Sequence, residues 1–435
     1  MISTSGTLAE GNLLAIAILW MVMFTGASGA EIIGKRNYKM DLKSEIKSLA
    51  KSQFEEVKGI REHLHLNPEL SFEEFETAKF ISKTLTDWGI EHQTGVAETG
   101  TVVLIKGKNP DKKVTALRAD IDALPITEQN DVPYKSQNVG VMHACGHDVH
   151  TSSMLGAVKI LNQLKEHFEG TIKVIFQPGE EKVPGGASKM IKEGVLQNPD
   201  VNNIIGQHVM PLIDAGKVGF RSGMYMASTD ELYMKVIGKG GHGAMPELNV
   251  DPVIITAHIL VALQQIVSRH ASPKIPSVLS FGKIIANGAT NVIPNEVNLE
   301  GTFRTMDEKW RALAHQKMRK MAEGMAESMG AKCEFEIRKG YPFLINEPEL
   351  TERAKANAVE YLGEENVEDL DLWMAAEDFA YFSQATDACF YRLGVRNEAK
   401  GINSSVHTPT FDIDPVALET GMGLMAWLAI KELGS

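Results

Sequence analysis

The sequence predicts an α/β protein with a mostly parallel sheet and a second, smaller unit inserted into the chain. In the first half, short apolar runs typical of strands alternate with helical stretches such as 151–164. After about residue 222 the order becomes β-α-β-β-α-β, and the first pattern then resumes. At 435 residues the chain is long enough for two domains.

The predicted strands of the first half share one form, an apolar run that ends abruptly in Asp, Glu or His. They are "KVTALRADIDALP" (113–125), "TIKVIFQPGEE" (171–181) and "NIIGQHVMP" (203–211). Parallel sheets bind ligands beyond the carboxyl ends of their strands. We therefore expect polar side chains to gather at one edge, namely Asp120, Glu180, Glu181 and His208.

The inserted unit contains alternating, half-buried strand patterns and two helices. The strands are predicted at 231–237, 277–284, 296–303 and 332–337, and the helices at 252–269 and 307–329. Asp251 followed by Pro252 predicts the start of the first of these helices. The first domain resumes with a helix at 349–362 and an apolar strand near 388–393.

Composition excludes some function classes. The formal charge of -12 and the absence of a basic stripe argue against nucleic acid as a partner. Cys145, Cys333 and Cys389 are odd in number and widely spaced, so we expect reduced thiols rather than a disulfide framework.

The N-terminus allows three interpretations. An apolar run from Leu13 to Phe24 precedes small residues, as in a secretory signal, but Glu10 and no Lys or Arg precede it. The run is shorter than the ~20 residues of a membrane span. Met40 opens an amphipathic helix, so we favour residues 1–39 as a leader or a misplaced start. We expect a cytoplasmic protein, rather than one exported or tethered by 13–30.

Two short segments offer metal ligands. Cys145 and His147 lie two positions apart, which suits chelation, although a buried thiol beside surface histidines is the simpler alternative. His143 and His150 are candidates for supporting or helix-start positions. In "PGEE" (178–181), adjacent side chains of an extended backbone point opposite ways, so one Glu could bind metal while the other faces a water. A solvated loop is the alternative.

Two single histidines could complete the site. His208 ends the third strand, and His407 lies in a polar loop before a predicted strand, but a lone histidine is more often structural. Together five donors of mixed type would suffice for two divalent ions: Cys145, His147, Glu181, His208 and His407. Glu180 would remain free to take a proton from water.

The inserted unit has its own candidates. His242 in "GKGGHGAMPE" (238–247) lacks the order of a phosphate loop and is interpreted as an imidazole on a close-approach loop or as part of a strand-to-helix turn. Asn291 and Arg304 lie in or beside strands. Arg304 could clamp a carboxylate or be a solvated charge.

Eight segments in this order resemble the two-metal amidohydrolase family of hippurate hydrolases, N-acyl-L-amino-acid amidohydrolases and auxin-conjugate (IAA-amino acid) hydrolases. They are "RADIDALP", "MHACGHDVHTSSMLGA", "FQPGEE", "GQHVMP", "GKGGHGAMP", "NVIPNEV", "GTFRT" and "HTPTFDID". The resemblance covers roughly residues 45–435. It implies a zinc-exopeptidase-like catalytic domain at 40–224 and 339–435. It also implies a ferredoxin-like (βαββαβ) satellite domain at 225–338, for lidding or dimerisation.

The resemblance also implies roles for individual residues. Cys145, His147, Glu181, His208 and His407 match ligands of two divalent ions (Mn, Zn or Co), Glu180 matches the general base, His242 an oxyanion stabiliser, Asn291 and Arg304 substrate-binding groups, and Asp120 an orienting carboxylate. Many relatives in the wider superfamily carry a ligating histidine where this chain has Arg118, and Glu377 in "AAEDFAYF" (375–382) receives no role.

The expected activity is hydrolysis of the amide bond of N-acyl amino acids, with a small-molecule substrate and a homodimer formed through the satellite domain. One alternative is a metallo-dipeptidase or aminopeptidase, which must also recognise a free α-amino group. The other is a metal-free relative that binds a ligand by closing its lid.

Overall fold

The computed structural model describes residues 40–435. In chain order the helices are α1 (Leu42–Leu66), α2 (Phe75–Asp87), α3 (His147–Gln163), α4 (Gly186–Lys192), α5 (Pro252–Leu263), α6 (Glu308–Ser328), α7 (Pro348–Leu362), α8 (Ala380–Ser383) and α9 (Val416–Leu433). The strands are β1 (His92–Val96), β2 (Gly100–Lys106), β3 (Val114–Asp120), β4 (Thr171–Gln177), β5 (Asn203–Asp214), β6 (Val218–Phe220), β7 (Gly223–Met226), β8 (Asp230–Ile237), β9 (Gly241–His242), β10 (Ser277–Ile285), β11 (Val292–Ile293), β12 (Glu296–Thr305), β13 (Lys332–Lys339), β14 (Leu344–Asn346), β15 (Val367–Asp369) and β16 (Asp387–Arg396).

The larger sheet has eight strands in the order β1-β2-β4-β3-β5-β16-β6-β15. Its four central strands, β4, β3, β5 and β16, run parallel. The pairs β1–β2, β2–β4 and β16–β6 are antiparallel, and β15 pairs parallel with β6. The predicted parallel sheet is therefore confirmed at its centre, but the whole sheet is mixed.

Helices cover both faces of this sheet. Helix α3 lies against it and is itself covered by α1 and α9, so nearly every α3 residue is buried. On the other face, α4 and α8 pack on the central strands through Met190, Phe379 and Phe382. The central parallel strands are consequently apolar on both sides, which explains their continuous β-branched runs.

The second large sheet has four antiparallel strands in the order β10-β12-β8-β13 and a core of its own. Helices α5 and α6 pack on it, and the chain order β8-α5-β10-β12-α6-β13 is the order predicted. The carboxylate of Asp251 accepts from the N–H groups of Val253 and Ile254, which fixes the predicted start of α5.

By length and composition alone, one helical stretch of the described residues, Pro252–His270, is apolar enough to cross a membrane. Its residues Ile255, Ile259 and Leu263 are buried in the core of the four-stranded sheet. The predictions made for residues 1–39, including the segment 13–30, lie outside the described residues.

Three local predictions are wrong. Helix α3 begins at His147, four residues before the predicted Thr151. The loop of His407 leads into helix α9, not into a strand. His208 does not end its strand, because β5 continues to Asp214 by pairing with β16. Its pairing with β3 stops at Gly206, and in this register His208 lies level with Asp120, where β3 ends.

Candidate metal centre

Loops at the carboxyl edge of the central strands bring the predicted ligands together. Cys145 directly precedes α3, and Glu181 follows β4 after a short turn. The Nε2 atoms of His208 and His407 each lie 3.3 Å from Sγ of Cys145. Nε2 of His407 also lies 3.3 Å from Oε1 of Glu181. Glu181 and His208, which the sequence predicts at this edge, therefore meet Cys145 and His407 there.

The ligand atoms form two overlapping sets that share the cysteine. Cys145, His147 and His208 form one set, and Cys145, Glu181 and His407 form the other, with the ligand atoms of each set within 4.8 Å of one another. Sulfur, imidazole nitrogen and carboxylate oxygen are the donors that divalent transition metals prefer. The shared thiol places the two sets side by side, as a two-metal site requires.

Buried polar atoms that lack a hydrogen-bond partner indicate whether the cluster can bind a cation. Nδ1 of His147 bonds the backbone oxygen of Asp122 at 2.9 Å, so Nε2 is left facing the cluster. In the described part of the chain, this buried Nε2 has no hydrogen-bond partner, and Oε1 of Glu181 has only the 3.3 Å approach of His407, which lacks hydrogen-bond geometry. Buried polar atoms are rarely left in this way, and a bound cation would satisfy both. The donor set therefore fits a divalent metal.

Proton affinities within the cluster are strongly perturbed. Burial, assisted by the charges of Glu181 and Glu180, raises the pKa of the Cys145 thiol well above 9.0. Burial opposes a charge on His147, but Asp120 and Asp122 outweigh it and raise its pKa to about 10. Without metal, both groups carry protons at neutral pH, and a metal ion must displace these protons to bind.

His208 behaves differently. Burial first, and then the positive charge of Arg392, holds the pKa of His208 well below 6.5. The imidazole is therefore neutral and ready to donate a lone pair, which is the state that a metal ligand needs.

The turn that carries the two glutamates is held tightly. Gly179 has φ +61, and a Cβ there would lie 2.3 Å from the ring of Phe72. The carboxylate of Glu74 accepts from the N–H of Gly179 at 2.8 Å. The hydroxyl of Tyr341 donates to the backbone oxygen of Glu180 at 2.5 Å. These contacts fix where Glu180 and Glu181 point.

Glu180 is buried beside other carboxylates. Its Oε1 accepts from the backbone N–H of Asp378 at 3.3 Å. Burial, followed by the negative charges of Glu377 and Glu181, raises the pKa of Glu180 well above 4.5. A carboxylate with a raised pKa next to a metal cluster suits proton transfer.

Two carboxylates support the cluster in different ways. Asp122 contacts the ligands directly, because its Oδ1 lies 3.2 Å from Nδ1 of His147 and its Oδ2 accepts from the N–H of Glu181 at 2.9 Å. Asp120 instead bonds Nδ1 of His150 at 2.5 Å and Nη1 of Arg118 at 2.6 Å. Oδ2 of Asp120 is 3.6 Å from Nε2 of His147.

The other two histidines of segment 143–150 are not in these two sets, although His150 forms a further group of possible ligands with Asp120 and His147. His150 uses both ring nitrogens, since its Nε2 accepts from the N–H of Val209 at 2.9 Å while Nδ1 bonds Asp120. His143 is buried, and burial lowers its pKa to about 4. His150 thus connects Asp120 to the strand of His208, which the sequence did not reveal.

Arg118 holds together the segment of Glu377, for which the sequence suggested no role. Its Nη2 donates to Oε1 of Glu377 at 2.9 Å and to Oδ1 of Asp378 at 2.8 Å. Asp378 also accepts from the side chain of Gln177 and the N–H of Ala187. The guanidinium therefore anchors the backbone N–H that bonds Glu180.

The three candidates of the inserted unit lie apart from the ligands. His242 is exposed in β9, which pairs with β11, and the N–H of Gly243 donates to the oxygen of Asn291 at 2.8 Å. Nη1 of Arg304 donates to the oxygen of Met374 at 3.0 Å. Within residues 40–435, none of the three hydrogen-bonds to a predicted ligand.

The sheet edge, the ligand sets and the adjacent glutamate define a metal-dependent hydrolase. The family model of Peptidase family M20/M25/M40 matches residues 116–431, and the chain belongs to this family. This confirms the membership that the eight segments predict.

Relatives that are named for an enzymatic activity support this placement. The N-acyl-L-amino acid amidohydrolase of Geobacillus stearothermophilus is 43% identical over 317 residues, which are 73% of this chain and 85% of that protein. The IAA-amino acid hydrolase ILR1-like 4 of Arabidopsis thaliana is 36% identical over 385 residues, covering 87% of this chain and 86% of that protein.

A solved structure resembles the whole described fold. The YXEP protein of Bacillus subtilis, described as a dinuclear metal binding peptidase from the M20 family, superposes with a TM-score of 0.75 at 34% identity. The match covers 88% of this chain and 99% of that one.

Proposed function

We propose that the protein is a metal-dependent amidohydrolase that releases a free amino acid and a carboxylate from N-acyl amino acids. The convergence of Cys145, His147, Glu181, His208 and His407 beside Glu180 carries this proposal. Relatives named for hydrolysis of N-acyl amino acids and amino acid conjugates support the substrate class.

Different residues of the chain carry out different parts of the proposed reaction. When bound, two divalent ions supply Lewis acidity that polarises the scissile carbonyl and acidifies water. Glu180 takes the proton of the attacking water and then gives it to the leaving amine, which its raised pKa favours. Asp122 holds the imidazole of His147 in place throughout. Mn, Zn and Co are the candidate metals for this mixed donor set.

The inserted unit completes the site in this proposal. We assign residues 225–338 to a ferredoxin-like satellite domain and 40–224 with 339–435 to the catalytic domain, because the four-stranded sheet has its own core. His242 stabilises the oxyanion, and Asn291 and Arg304 bind the substrate carboxylate. The exposure of His242 and Asn291, and the contact of half-buried Arg304 with the 373–376 loop, suit a lid that closes over the centre.

We further propose a homodimer through the satellite domain. Helix α5 exposes an apolar face on which Val261 is 75% and Ile254 is 54% exposed. Strand β10 is the edge of its sheet and exposes Ile284 at 52%. A second copy can pair with this edge around a two-fold axis and bury both α5 faces. Val261→Glu should halve the mass measured by sedimentation. A monomeric wild type would contradict the proposal.

A substrate panel with quantified metal tests the activity. We expect hydrolysis of N-acetyl and N-benzoyl amino acids, loss of activity on chelation, and recovery with Mn²⁺, Zn²⁺ or Co²⁺. Preference for substrates with a free α-amino group would favour the dipeptidase or aminopeptidase alternative. Purified protein that binds no metal would favour the ligand-binding alternative.

A further inference from the structure

Arg392 is a buried positive charge without a carboxylate partner. Its side chain is 0% exposed in β16, its Nε donates to the hydroxyl of Tyr225 at 2.6 Å, and its Nη2 lies 3.0 Å from Sδ of Met226. Among residues 40–435, Nη1 has no hydrogen-bond partner. The described carboxylates form no ion pair with it within 4.0 Å.

Aromatic rings hold this guanidinium in place. Its central carbon lies 5.4 Å from the ring centroid of Tyr225, 4.7 Å from that of Trp373 and 5.1 Å from that of Phe390. Such contacts stabilise a cation without neutralising it. Because arginine does not deprotonate in proteins, the site keeps a full positive charge.

The charge lies one strand away from the candidate metal centre. Arg392 pairs in register with His208 in the parallel β16–β5 pair, so both side chains project from the same face at a strand spacing of ~4.8 Å. Phe390 contacts both, with its ring 6.2 Å from that of His208. Nε2 of His208 in turn lies 3.3 Å from Sγ of Cys145.

We propose that Arg392 is a positioning residue that acts electrostatically through His208 and weakens the hold of the centre on divalent cations. In the metal-free protein its charge stabilises the negative charge of buried Glu377. The same charge opposes any cation that binds at the centre. The inference rests on the proposed metal centre but not on which amide is cleaved.

The test compares metal binding by two variants with that of the wild type. Arg392→Met removes the charge, and the control Arg396→Met removes the half-buried arginine four residues along the same strand. Metal-free full-length proteins are titrated with Mn²⁺ against a competing chelator. We expect a Kd at least about tenfold lower for Arg392→Met, and a Kd within about threefold of the wild type for Arg396→Met.

A second readout keeps the test decisive if metal-free Arg392→Met does not fold. The variant is then purified with Mn²⁺, and the rate of metal release to excess chelator is compared with that of the wild type. Slower release supports the inference, whereas equal or faster release, or an unchanged or higher Kd, overturns it. Tighter binding in a protein that hydrolyses none of the N-acyl amino acids would refute the proposed function alone.

Discussion

Replacement of Asp122 by asparagine tests how the ligands are held. Its carboxylate receives three donors, because Oδ2 accepts from the hydroxyl of Ser71 at 2.6 Å and from the N–H of Glu181 at 2.9 Å, while Oδ1 faces Nδ1 of His147 at 3.2 Å. An amide has only one oxygen. In either orientation its NH₂ group faces a donor. At the Oδ2 position it removes the acceptor of the Glu181 N–H, and at the Oδ1 position it leaves Nδ1 of His147 only the backbone oxygen of Asp122.

The expected change in metal affinity follows from the hydrogen bond that is lost. An unsatisfied buried donor costs about 1–3 kcal/mol. If the cost falls on the bound state, the metal Kd rises about 10- to 100-fold, as is typical of residues that orient metal ligands. Chelator competition measures this directly. Asp214→Asn is the matched control, because Asp214 is half exposed and pairs with Arg396. Equal metal affinity in the two variants would refute the reasoning.

Three further predictions concern proton transfer, pH and the inserted unit. Glu180→Gln should lower kcat at least about 100-fold while metal content, measured by elemental analysis, stays unchanged, and near-normal turnover would contradict the assigned base. Because Cys145 and His147 are protonated without metal, metal binding should release protons and weaken as pH falls, and calorimetry in buffers of different ionisation enthalpy would detect this. Asp230→Asn should cost about 1–3 kcal/mol in chemical denaturation, since buried Arg311 loses its closest carboxylate and keeps only that of the partly exposed Glu308. Burial opposes the charge of Asp230, but bonds from His315 and Arg311 outweigh it and lower its pKa. The stability it gives is therefore present above pH ~4 and lost in acid, and the variant should lack that loss.

The sequence predicted the helices and strands that bury only one face, and those that end at a recognisable polar or capping residue. Strands β3, β4 and β5 are apolar runs that stop at polar residues, so both their existence and their shared edge were predictable. Helix α9 was missed because it is buried nearly all round, which removes the helical periodicity and leaves a continuous apolar run. Strand β2 carries a similar apolar run but ends in Lys106 rather than in a candidate site residue, and β1 has no such run.

Within the site, residue type and position revealed the ligands but not their supports. Cys145 and His147 stand out by their spacing, whereas Asp122 differs from Asp120 only by the partner it meets in three dimensions. One sequence signal was available, since Asp122 follows Asp120 by two positions. The roles of His150 and Arg118 depend on contacts with segments 59 and 260 residues away, which no local pattern contains.

The arrangement of charge explains why the centre is built from so many separate segments. Carboxylates at Asp120, Glu180 and Glu377 are all nearly fully buried, and such a group is costly unless positive charge compensates it. Arg118 provides part of that compensation through direct ion pairs and also fixes the backbone that bonds Glu180. Bound cations would provide the rest. The same excess of negative charge that makes the metal-free centre costly therefore favours the binding of metal.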